Sequence, residues 1–415
     1  MNWVDRNSQT ELVTFDDILK ARGRLADFDA SKPVNVIGDA ELGDSGFRVL
    51  NVLDTTAENH SFKYRGAYNF IAHLIEQQLE LPAEKREVLH PIAPSAGNHA
   101  QGIAMVMKHF GDRGMLEEAS VGNAKIYMPE TTVDVKINAT RNLGGEFVNV
   151  IVDGQEFNDA KSNAFNEISR SPKSNIIVSP YDHPDIIAGQ GTLAIEMLER
   201  FAGRENLSDE EILDKNSQFR KDLDRIIGHQ GENLINHVPA GGGGLVAGAA
   251  IVMSELAPKS KTIAVEPDYV PSVTKSLIMG RPVRIKDVPK EVHGIPIAGG
   301  VAIEQIGDIP LKILQHCGVS AQTVNAKQIH HVTKLLNDNE KGFTYPVEQS
   351  GAIAGAVTLN TPKEELQGKV VANYISGANS GKIELDKINE SIDLNEPFPT
   401  SKAKLSYAPK IEKSR

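Results

Sequence analysis

The sequence predicts an α/β protein with mostly parallel sheets. Short apolar runs alternate with longer segments in which apolar residues recur every three or four positions, as strands and helices do in βαβ units. Glycine-rich turns follow several of the predicted strands. Because 415 residues are too many for one simple core, we expect two domains.

The predicted elements follow one another in a regular order. The first is a helix over 14–27, in which Ile18, Ala21 and Leu25 share a face and Thr14 with Asp17 forms the N-terminal cap. Strands are predicted over 47–53, 88–93, 124–128, 146–152, 234–239 and 261–266. Helices are predicted directly after Lys63 and over 100–111, 132–144, 191–202 and 245–257.

Two stretches are predicted to be peripheral. Residues 203–233 are densely charged and contain a capping box, Ser208 with Glu211, which predicts a solvated surface helix. A regulatory or subunit contact is the alternative for that stretch. Residues 381–415 are rich in Lys, Glu, Ser and Pro with little periodicity, which predicts a partly disordered tail.

Composition excludes several classes of protein. The net charge of −11 argues against a nucleic-acid partner, because phosphate backbones require a basic face. The single cysteine, Cys317, excludes an internal disulfide and a multi-cysteine zinc site, and we expect it to be a buried, inert thiol. The first residues do not form a signal peptide, and no apolar run is long enough to cross a bilayer. We therefore expect a cytoplasmic protein.

A run of four glycines predicts a phosphate site. Gly241, Gly242, Gly243 and Gly244, followed by Leu245, stand between a predicted strand and a predicted helix. Converging backbone N–H groups and the positive end of a helix dipole together bind a phosphate without a basic side chain. The dinucleotide fingerprint is a rival reading, since Gly242, Gly244 and Ala247 fit its relaxed spacing and Glu266 ends the next strand.

The second chemical feature is a lysine. Lys63 lies between a strand and a helix, beside Phe62 and Ser61. Partial removal of water from a lysine lowers its pKa and makes the amine nucleophilic, as Schiff-base formation with an aldehyde requires. On its own this segment is modest evidence, because most lysines are simply solvated.

Five motifs in order resemble one enzyme family. SFKYRGAYNF (61–70) resembles the cofactor-lysine motif of threonine dehydratases and their fold-type II pyridoxal-phosphate relatives, including serine racemases. Four later motifs resemble the family's carboxylate, phosphate and C-terminal cofactor segments, namely PSAGNHAQGIA (94–104), GGGGLVAG (241–248), EQSGA (348–352) and ISGAN (375–379). The resemblance implies two open twisted sheets with helices on both faces. It also implies a large cofactor domain (1–87 with 183–380), a small substrate-loop domain (88–182) and the tail (381–415).

The resemblance assigns a role to each matched residue. Lys63 holds pyridoxal 5'-phosphate as a Schiff base and later takes the Cα proton of the substrate. Phe62 backs the cofactor ring, Asn98 bonds its ring oxygen, and Gly241 to Leu245 hold its phosphate. Glu348 lies in a cofactor segment, and Ser376 faces the pyridine nitrogen. The loop of Ser95, Ala96, Gly97, Asn98 and His99 binds the substrate carboxylate.

The implied reaction is β-elimination from L-threonine or L-serine, which gives 2-oxobutanoate or pyruvate and ammonia. This is the chemistry of threonine ammonia-lyase, a carbon–nitrogen lyase of amino-acid metabolism and isoleucine biosynthesis. A neutral serine hydroxyl at position 376 does not keep the pyridine nitrogen protonated, which favours loss of the β-substituent over transamination. The cofactor phosphate is the expected acid for the departing hydroxyl.

Several alternatives stay open. A racemase needs a second acid or base, which serine racemases place where this chain has Ala96, so a dehydratase is favoured. A cysteine-synthase type of enzyme has a different lysine segment and ranks third. A nicotinamide-dependent dehydrogenase rests only on the 242–247 spacing. An inactive lyase scaffold rests on departures from the family pattern before Lys63, near residue 35 and at Ala298-Gly299-Gly300.

Further expectations concern cations, assembly and regulation. Glu266 matches one cation ligand of the relatives, but Ser272 stands where some have an acid, so we expect no tight divalent site. A homodimer or homotetramer is implied by the resemblance. The stretch after the core is too short for a regulatory domain, so control by a downstream amino acid through such a domain is not expected.

Overall fold

A computed structural model describes residues 12–28, 35–39, 46–338, 345–402 and 405–409. Its strands are β1 Asn35–Asp39, β2 Arg48–Leu53, β3 His90–Pro94, β4 Ala124–Met128, β5 Val148–Val152, β6 Asn175–Ile177, β7 Leu234–Pro239, β8 Lys261–Pro267, β9 Glu291–Val292, β10 Ile295–Pro296, β11 Ser320–Val324, β12 Val370–Ile375 and β13 Ser406–Tyr407.

The α-helices in these residues are α1 Phe15–Leu25, α2 Lys63–Leu79, α3 Asn98–Asp112, α4 Met115–Glu118, α5 Asp134–Gly144, α6 Phe157–Arg170, α7 Pro184–Phe201, α8 Asp209–Leu213, α9 Gln218–Ile227, α10 Gly244–Leu256, α11 Ser272–Met279, α12 Asp308–His316, α13 Ala326–Asp338, α14 Gln349–Asn360, α15 Lys363–Leu366 and α16 Lys382–Ser391. Short 3-10 helices cover Ala83–Lys85, Gly145–Phe147 and His229–Gly231.

The chain divides into two compact units. Unit 1 consists of the described residues within 1–31 and 57–190, and unit 2 of those within 32–56 and 191–415. These divisions differ from the predicted domain boundaries at 87/88 and 182/183. The predicted boundaries separate a cofactor domain from a substrate-loop domain, and that functional division stays a prediction. The difference arises because α2 packs against α3, so that Lys63 and its helix join the unit that contains the 94–104 motif.

Unit 1 is built on a four-stranded parallel sheet in the order β5-β4-β3-β6. Its core lies between this sheet and helices such as α2 and α3, whose apolar residues are almost all buried. Helix α1 begins with the predicted capping box, since Thr14 and Asp17 bond each other's backbone N–H groups.

Unit 2 is built on a seven-stranded sheet in the order β1-β2-β12-β7-β8-β11-β13. The five inner strands are parallel, and the two edge strands are antiparallel to their neighbours. Every residue of β12 is buried, as expected for a central strand covered on both faces. The prediction of an α/β fold with mostly parallel sheets is therefore confirmed.

The two stretches predicted to be peripheral contain defined elements. The Ser208–Glu211 capping box opens α8 as predicted, and α9 follows with Phe219 and Leu223 buried on one face. The tail contains α16 and β13, which the sequence analysis did not predict. Lys334 Nζ anchors the end of α16, with bonds to the carbonyl oxygens of Asn389 (2.9 Å) and Ile392 (2.6 Å).

The structure can be compared with two expectations drawn from composition, namely an inert Cys317 thiol and no membrane-spanning segment. Cys317 is partly exposed rather than fully buried, and burial of its thiol raises the thiol pKa, as expected for an unreactive side chain. Among the described residues, no helix combines the length and the apolar character needed to cross a bilayer.

Candidate active site

Lys63 is the first residue of α2, directly after Phe62. Its Nζ donates a hydrogen bond to the Pro180 carbonyl oxygen at 2.8 Å and lies 5.0 Å from the centre of the Phe62 ring. The side chain is partly exposed, whereas Phe62 is 9% exposed. The amine is thus held in one place by its neighbours and is still open to a ligand.

Three glycines let other helices approach the first turn of α2. A Cβ atom on Gly102 of α3 would lie 3.0 Å from the Tyr64 nitrogen and 3.1 Å from the Lys63 carbonyl carbon. A Cβ atom on Gly189 of α7 would lie 2.5 Å from the Arg65 carbonyl oxygen, and one on Gly66 would lie 2.9 Å from the Ile186 carbonyl oxygen. In each contact the Cβ atom would meet backbone atoms of the other segment, so a residue larger than glycine would push the two segments apart. These contacts fix the position of Lys63.

The predicted carboxylate loop connects β3 to α3. Ser95, Ala96, Gly97 and Asn98 are all partly exposed, and the Ser95 N–H donates to the Tyr127 carbonyl oxygen at 3.0 Å. Asn98 begins α3, and the first turn of this helix contains no acidic residue. The first N–H groups of a helix have no partner within it, and the helix dipole favours an anion there. The loop is therefore suited to a carboxylate.

His99 differs from the rest of this loop. It is 4% exposed, and its Nε2 lies 2.9 Å from the Val178 carbonyl oxygen. Burial, reinforced by the nearby charge of Lys63, lowers the pKa of His99 to about 3. The ring is therefore neutral at physiological pH.

In unit 2 the four glycines form the turn between β7 and α10. Gly243 has a φ of 93°, in the left-handed region, and directly precedes the helix. A Cβ atom on Gly243 would lie 2.8 Å from Pro310 Cβ, and the Gly242 carbonyl oxygen accepts a bond from the Gly307 N–H at 3.1 Å. The turn has the conformation of an anion cradle at a helix N-terminus, with no acidic residue in the first turn of α10.

The two C-terminal motifs meet where β12 ends. The Glu348 N–H donates to the Gly377 carbonyl oxygen at 3.2 Å, and Ser350 Oγ donates to Glu348 Oε1 at 2.5 Å. Ser376 Oγ donates to the Ser350 carbonyl oxygen at 3.3 Å. The structure therefore brings Glu348 and Ser376, which are 28 positions apart in the sequence, into one cluster.

A segment that the sequence analysis did not assign to the site joins this cluster to the glycine turn. A Cβ atom on Gly300 would lie 2.6 Å from Ser350 Oγ, and one on Gly241 would lie 3.0 Å from Val301 Cα. Residues 300 and 301 thus lie between Gly241 and Ser350. The unusual Ala298-Gly299-Gly300 sequence was the available signal, because close backbone approach is a common reason for glycine.

Glu266 caps a helix, whereas the sequence suggested either a ribose-binding acid or a cation ligand at this position. Its carboxylate accepts bonds from the N–H groups of Val273 (2.8 Å) and Thr274 (2.6 Å) at the start of α11, and it is 1% exposed. Burial raises the pKa of Glu266 to about 7. A carboxylate that caps a helix in the interior is not available to a ribose, so Glu266 does not supply the acidic residue of a dinucleotide site. Ser272 Oγ donates to the Ile303 carbonyl oxygen at 2.8 Å.

A family model described as pyridoxal-phosphate dependent enzyme matches residues 44–377. The chain belongs to this family. Its cofactor is pyridoxal phosphate. An L-threonine dehydratase of Pasteurella multocida is 34% identical over 338 residues, which are 81% of this chain and 54% of that protein. An L-threonine ammonia-lyase of Thermotoga maritima is 30% identical over 380 residues, or 91% and 78% of the two chains.

This family member spans about half the length of the first of these relatives. Among solved structures, the processed form of threonine deaminase isoform 2 from Solanum lycopersicum matches with a TM-score of 0.66 and 26% identity, over 92% of this chain and 95% of that one. A maize serine racemase matches with a TM-score of 0.67 at 20% identity, over 92% and 98%, which shows the shared fold.

The residues of this pyridoxal-phosphate dependent enzyme fit its cofactor. The glycine turn leads into the N-terminus of α10, where backbone N–H groups can bind a phosphate, and a Cβ atom on Gly241 or Gly243 would collide with neighbouring atoms. Lys63 offers a held amine for the aldehyde, and Phe62 offers an apolar surface for the ring. Ser376, in unit 2, offers a neutral hydroxyl.

Proposed function

We propose that this protein is a dehydratase that converts L-threonine or L-serine into a 2-oxo acid and ammonia. The observation that carries the proposal is the Lys63 amine, held beside the carboxylate loop in a pyridoxal-phosphate dependent enzyme. The names of the relatives, L-threonine dehydratase and L-threonine ammonia-lyase, support this substrate class. The relatives described as biosynthetic support a place in isoleucine formation.

We also propose which residues bind the cofactor. We propose that Gly241 to Leu245 hold the phosphate, that Asn98 bonds the ring oxygen and that Phe62 backs the ring. Glu348 and Ser376 complete the site from the C-terminal motifs. When bound, pyridoxal phosphate supplies the electron sink that makes the substrate Cα–H acidic.

The chain's own groups then bind the substrate and move its proton. The N–H groups of the 95–98 loop and the start of α3 hold the substrate carboxylate. Lys63 Nζ takes the Cα proton, and one proton delivered to the β-hydroxyl lets it leave as water, so that the elimination is balanced. Hydrolysis of the released enamine gives the 2-oxo acid and ammonia. Partial burial keeps bulk water from competing for the amine.

Ala96 favours elimination over racemisation. Racemisation requires a proton to be returned on the opposite side of Cα, and an alanine methyl group carries no exchangeable proton. Ala96 is partly exposed in the carboxylate loop and packs against the core of unit 1. The neutral hydroxyl of Ser376 bears on a different choice: it does not stabilise a charged pyridinium, which favours elimination over transamination.

We also propose a cytoplasmic location and a homodimer or homotetramer, as expected from the sequence. The absence of a tight divalent cation remains part of the proposal. The Glu266 carboxylate accepts hydrogen bonds from two backbone N–H groups, and this supports that part of the proposal.

The direct test is a panel of hydroxy amino acids incubated with the purified holoenzyme and assayed for 2-oxo acid release. We expect 2-oxobutanoate from L-threonine, pyruvate from L-serine and equimolar ammonia. Bound cofactor without turnover of any hydroxy amino acid would contradict the proposal and favour an inactive scaffold. A D-amino acid product without a 2-oxo acid would favour the racemase.

A further inference from the structure

The segment that follows β6 contacts both Lys63 and His99. Lys63 Nζ donates to the Pro180 carbonyl oxygen at 2.8 Å, and His99 Nε2 lies 2.9 Å from the Val178 carbonyl oxygen. A single residue, Ser179, therefore lies between the acceptor of the amine and the acceptor of the imidazole. Both contacts lie within unit 1.

The contact with the Val178 carbonyl oxygen fixes the protonation pattern of His99. A carbonyl oxygen only accepts, so Nε2 must carry the hydrogen. Since the buried ring is neutral, Nδ1 then carries none and acts only as an acceptor. A substrate carboxylate also only accepts, so this tautomer of His99 offers it no hydrogen bond. This geometry suits an anchor, whereas the resemblance implied a carboxylate ligand at His99.

The segment 178–182 is fixed at its other points as well. The Val178 N–H donates to the Ile92 carbonyl oxygen of β3 at 2.8 Å. Ser179 Oγ accepts bonds from the N–H groups of Asp182 (2.9 Å) and Tyr181 (3.4 Å), which close a tight turn around Pro180. His99 adds a link from this segment to α3, the helix whose Gly102 packs on Lys63.

We propose that His99 is a positioning residue for Lys63. By holding the Val178 carbonyl, it fixes the Pro180 carbonyl, which binds one N–H of the Lys63 amine whenever that amine is not joined to the cofactor. A hydrogen bond from one N–H fixes the direction of that N–H. It thereby restricts the directions of the other N–H and the lone pair of the amine, so that the amine faces the Cα proton that it must take. The proposal rests on the proposed function for the identity of that proton, but not for the anchoring itself.

Three variants of the full chain separate anchoring from carboxylate binding. His99→Leu removes the donor, and His99→Gln retains a donor near the position of Nε2. His90→Leu is the matched control, because His90 is a partly buried histidine of β3, in the same unit, and its Nδ1 lies 3.4 Å from the Asn123 carbonyl oxygen. Each variant is stripped of cofactor and then mixed with pyridoxal 5'-phosphate to measure the rate of uptake. Amide hydrogen exchange is measured over residues 178–182.

For His99→Leu we expect uptake to slow about tenfold and exchange over 178–182 to increase. With L-threonine, kcat should fall by about tenfold while KM stays within about twofold, because the substrate carboxylate is still bound. His99→Gln should recover most of the uptake rate, and His90→Leu should behave as the wild type in uptake.

A raised KM for L-threonine, with uptake and exchange unchanged, would overturn the proposal and make His99 a carboxylate ligand. Failure of His99→Gln to recover any uptake would also overturn it. If uptake and exchange change as expected but no variant or wild-type protein releases a 2-oxo acid, the anchoring holds and the proposed dehydratase function fails.

Discussion

At the scale of single residues, the chemistry depends on where side chains meet backbone. The roles of Lys63, Asn98 and Ser376 were predicted from the resemblance of their motifs to those of one enzyme family, and they stay predictions. The carbonyl groups of Val178 and Pro180 could not be predicted, because every residue carries the same carbonyl and only the folded chain selects two of them. A structural, hydrogen-bonded histidine was one reading of His99, and only the folded chain shows that the ring is buried.

The carboxylate loop provides a prediction at Ala96. Ala96→Ser adds a hydroxyl to the loop at the position where serine racemases have their second acid or base. We expect a small but measurable conversion of L-serine to D-serine, together with continued 2-oxo acid release. Chiral chromatography of the product measures it, with the wild type as the control. No D-serine above the wild-type level would remove the argument that Ala96 suppresses racemisation.

At the scale of elements, the sequence predicted the strand–turn–helix around the four glycines. The apolar pattern of a strand precedes the glycine run and that of a helix follows it. The structure adds the conformation of Gly243, which has a φ of 93°. Local pattern was insufficient for α16 and β13, since the tail has no strong apolar periodicity and is held by distant partners. One such partner is Thr323, whose Oγ1 lies 2.9 Å from the Leu405 carbonyl oxygen.

The glycine turn provides the second prediction. Gly243→Ala places a Cβ atom 2.8 Å from Pro310 Cβ in a left-handed conformation, so we expect at least a tenfold weaker affinity for pyridoxal phosphate. Gly203→Ala is the matched control, because Gly203 also has a positive φ, of 68°, but open space around its Cβ position. It should cost about 1–2 kcal/mol of stability and leave cofactor affinity unchanged.

Cofactor titration followed by absorbance measures the affinity of both variants. Equal losses of affinity in the two would indicate that backbone strain alone is responsible, and the crowded cradle around Gly243 would then not be part of the phosphate site.

At the scale of the whole molecule, burial shifts the pKa values of several titratable groups away from their ordinary values. Burial lowers the pKa of His99 to about 3 and those of His237 and His330 to about 4. Glu266 is shifted in the opposite sense, to about 7. Sequence could place these residues in predicted strands and helices, but their degree of burial depends on the tertiary structure.

These shifts predict how stability depends on pH. Each histidine has a folded pKa below its unfolded value of about 6.5, so its contribution is present above that pH and is lost as pH falls toward 4. Glu266 has a raised folded pKa, so its contribution is present below about 4.5 and is lost as pH rises through 7. Because three histidines outweigh one glutamate, the protein should be more stable at pH 7 than at pH 5 by roughly 3 kcal/mol.

Thermal unfolding between pH 5 and 7 tests this dependence. In His237→Asn the difference in melting temperature between the two pH values should shrink, whereas in His316→Asn, at an exposed position, it should stay as in the wild type. A wild-type melting temperature that rises as pH falls from 7 to 5 would contradict the assignment of these histidines as buried and neutral.

The central claim is that the Lys63 amine carries the cofactor, and chemical trapping tests it most directly. The holoenzyme is reduced with borohydride, digested and examined by mass spectrometry, with Lys63→Ala as the control. We predict one phosphopyridoxyl group, attached to Lys63, and none in the variant. Attachment to a different lysine, or an unmodified Lys63 in a yellow protein that loses its colour on reduction, would contradict the account.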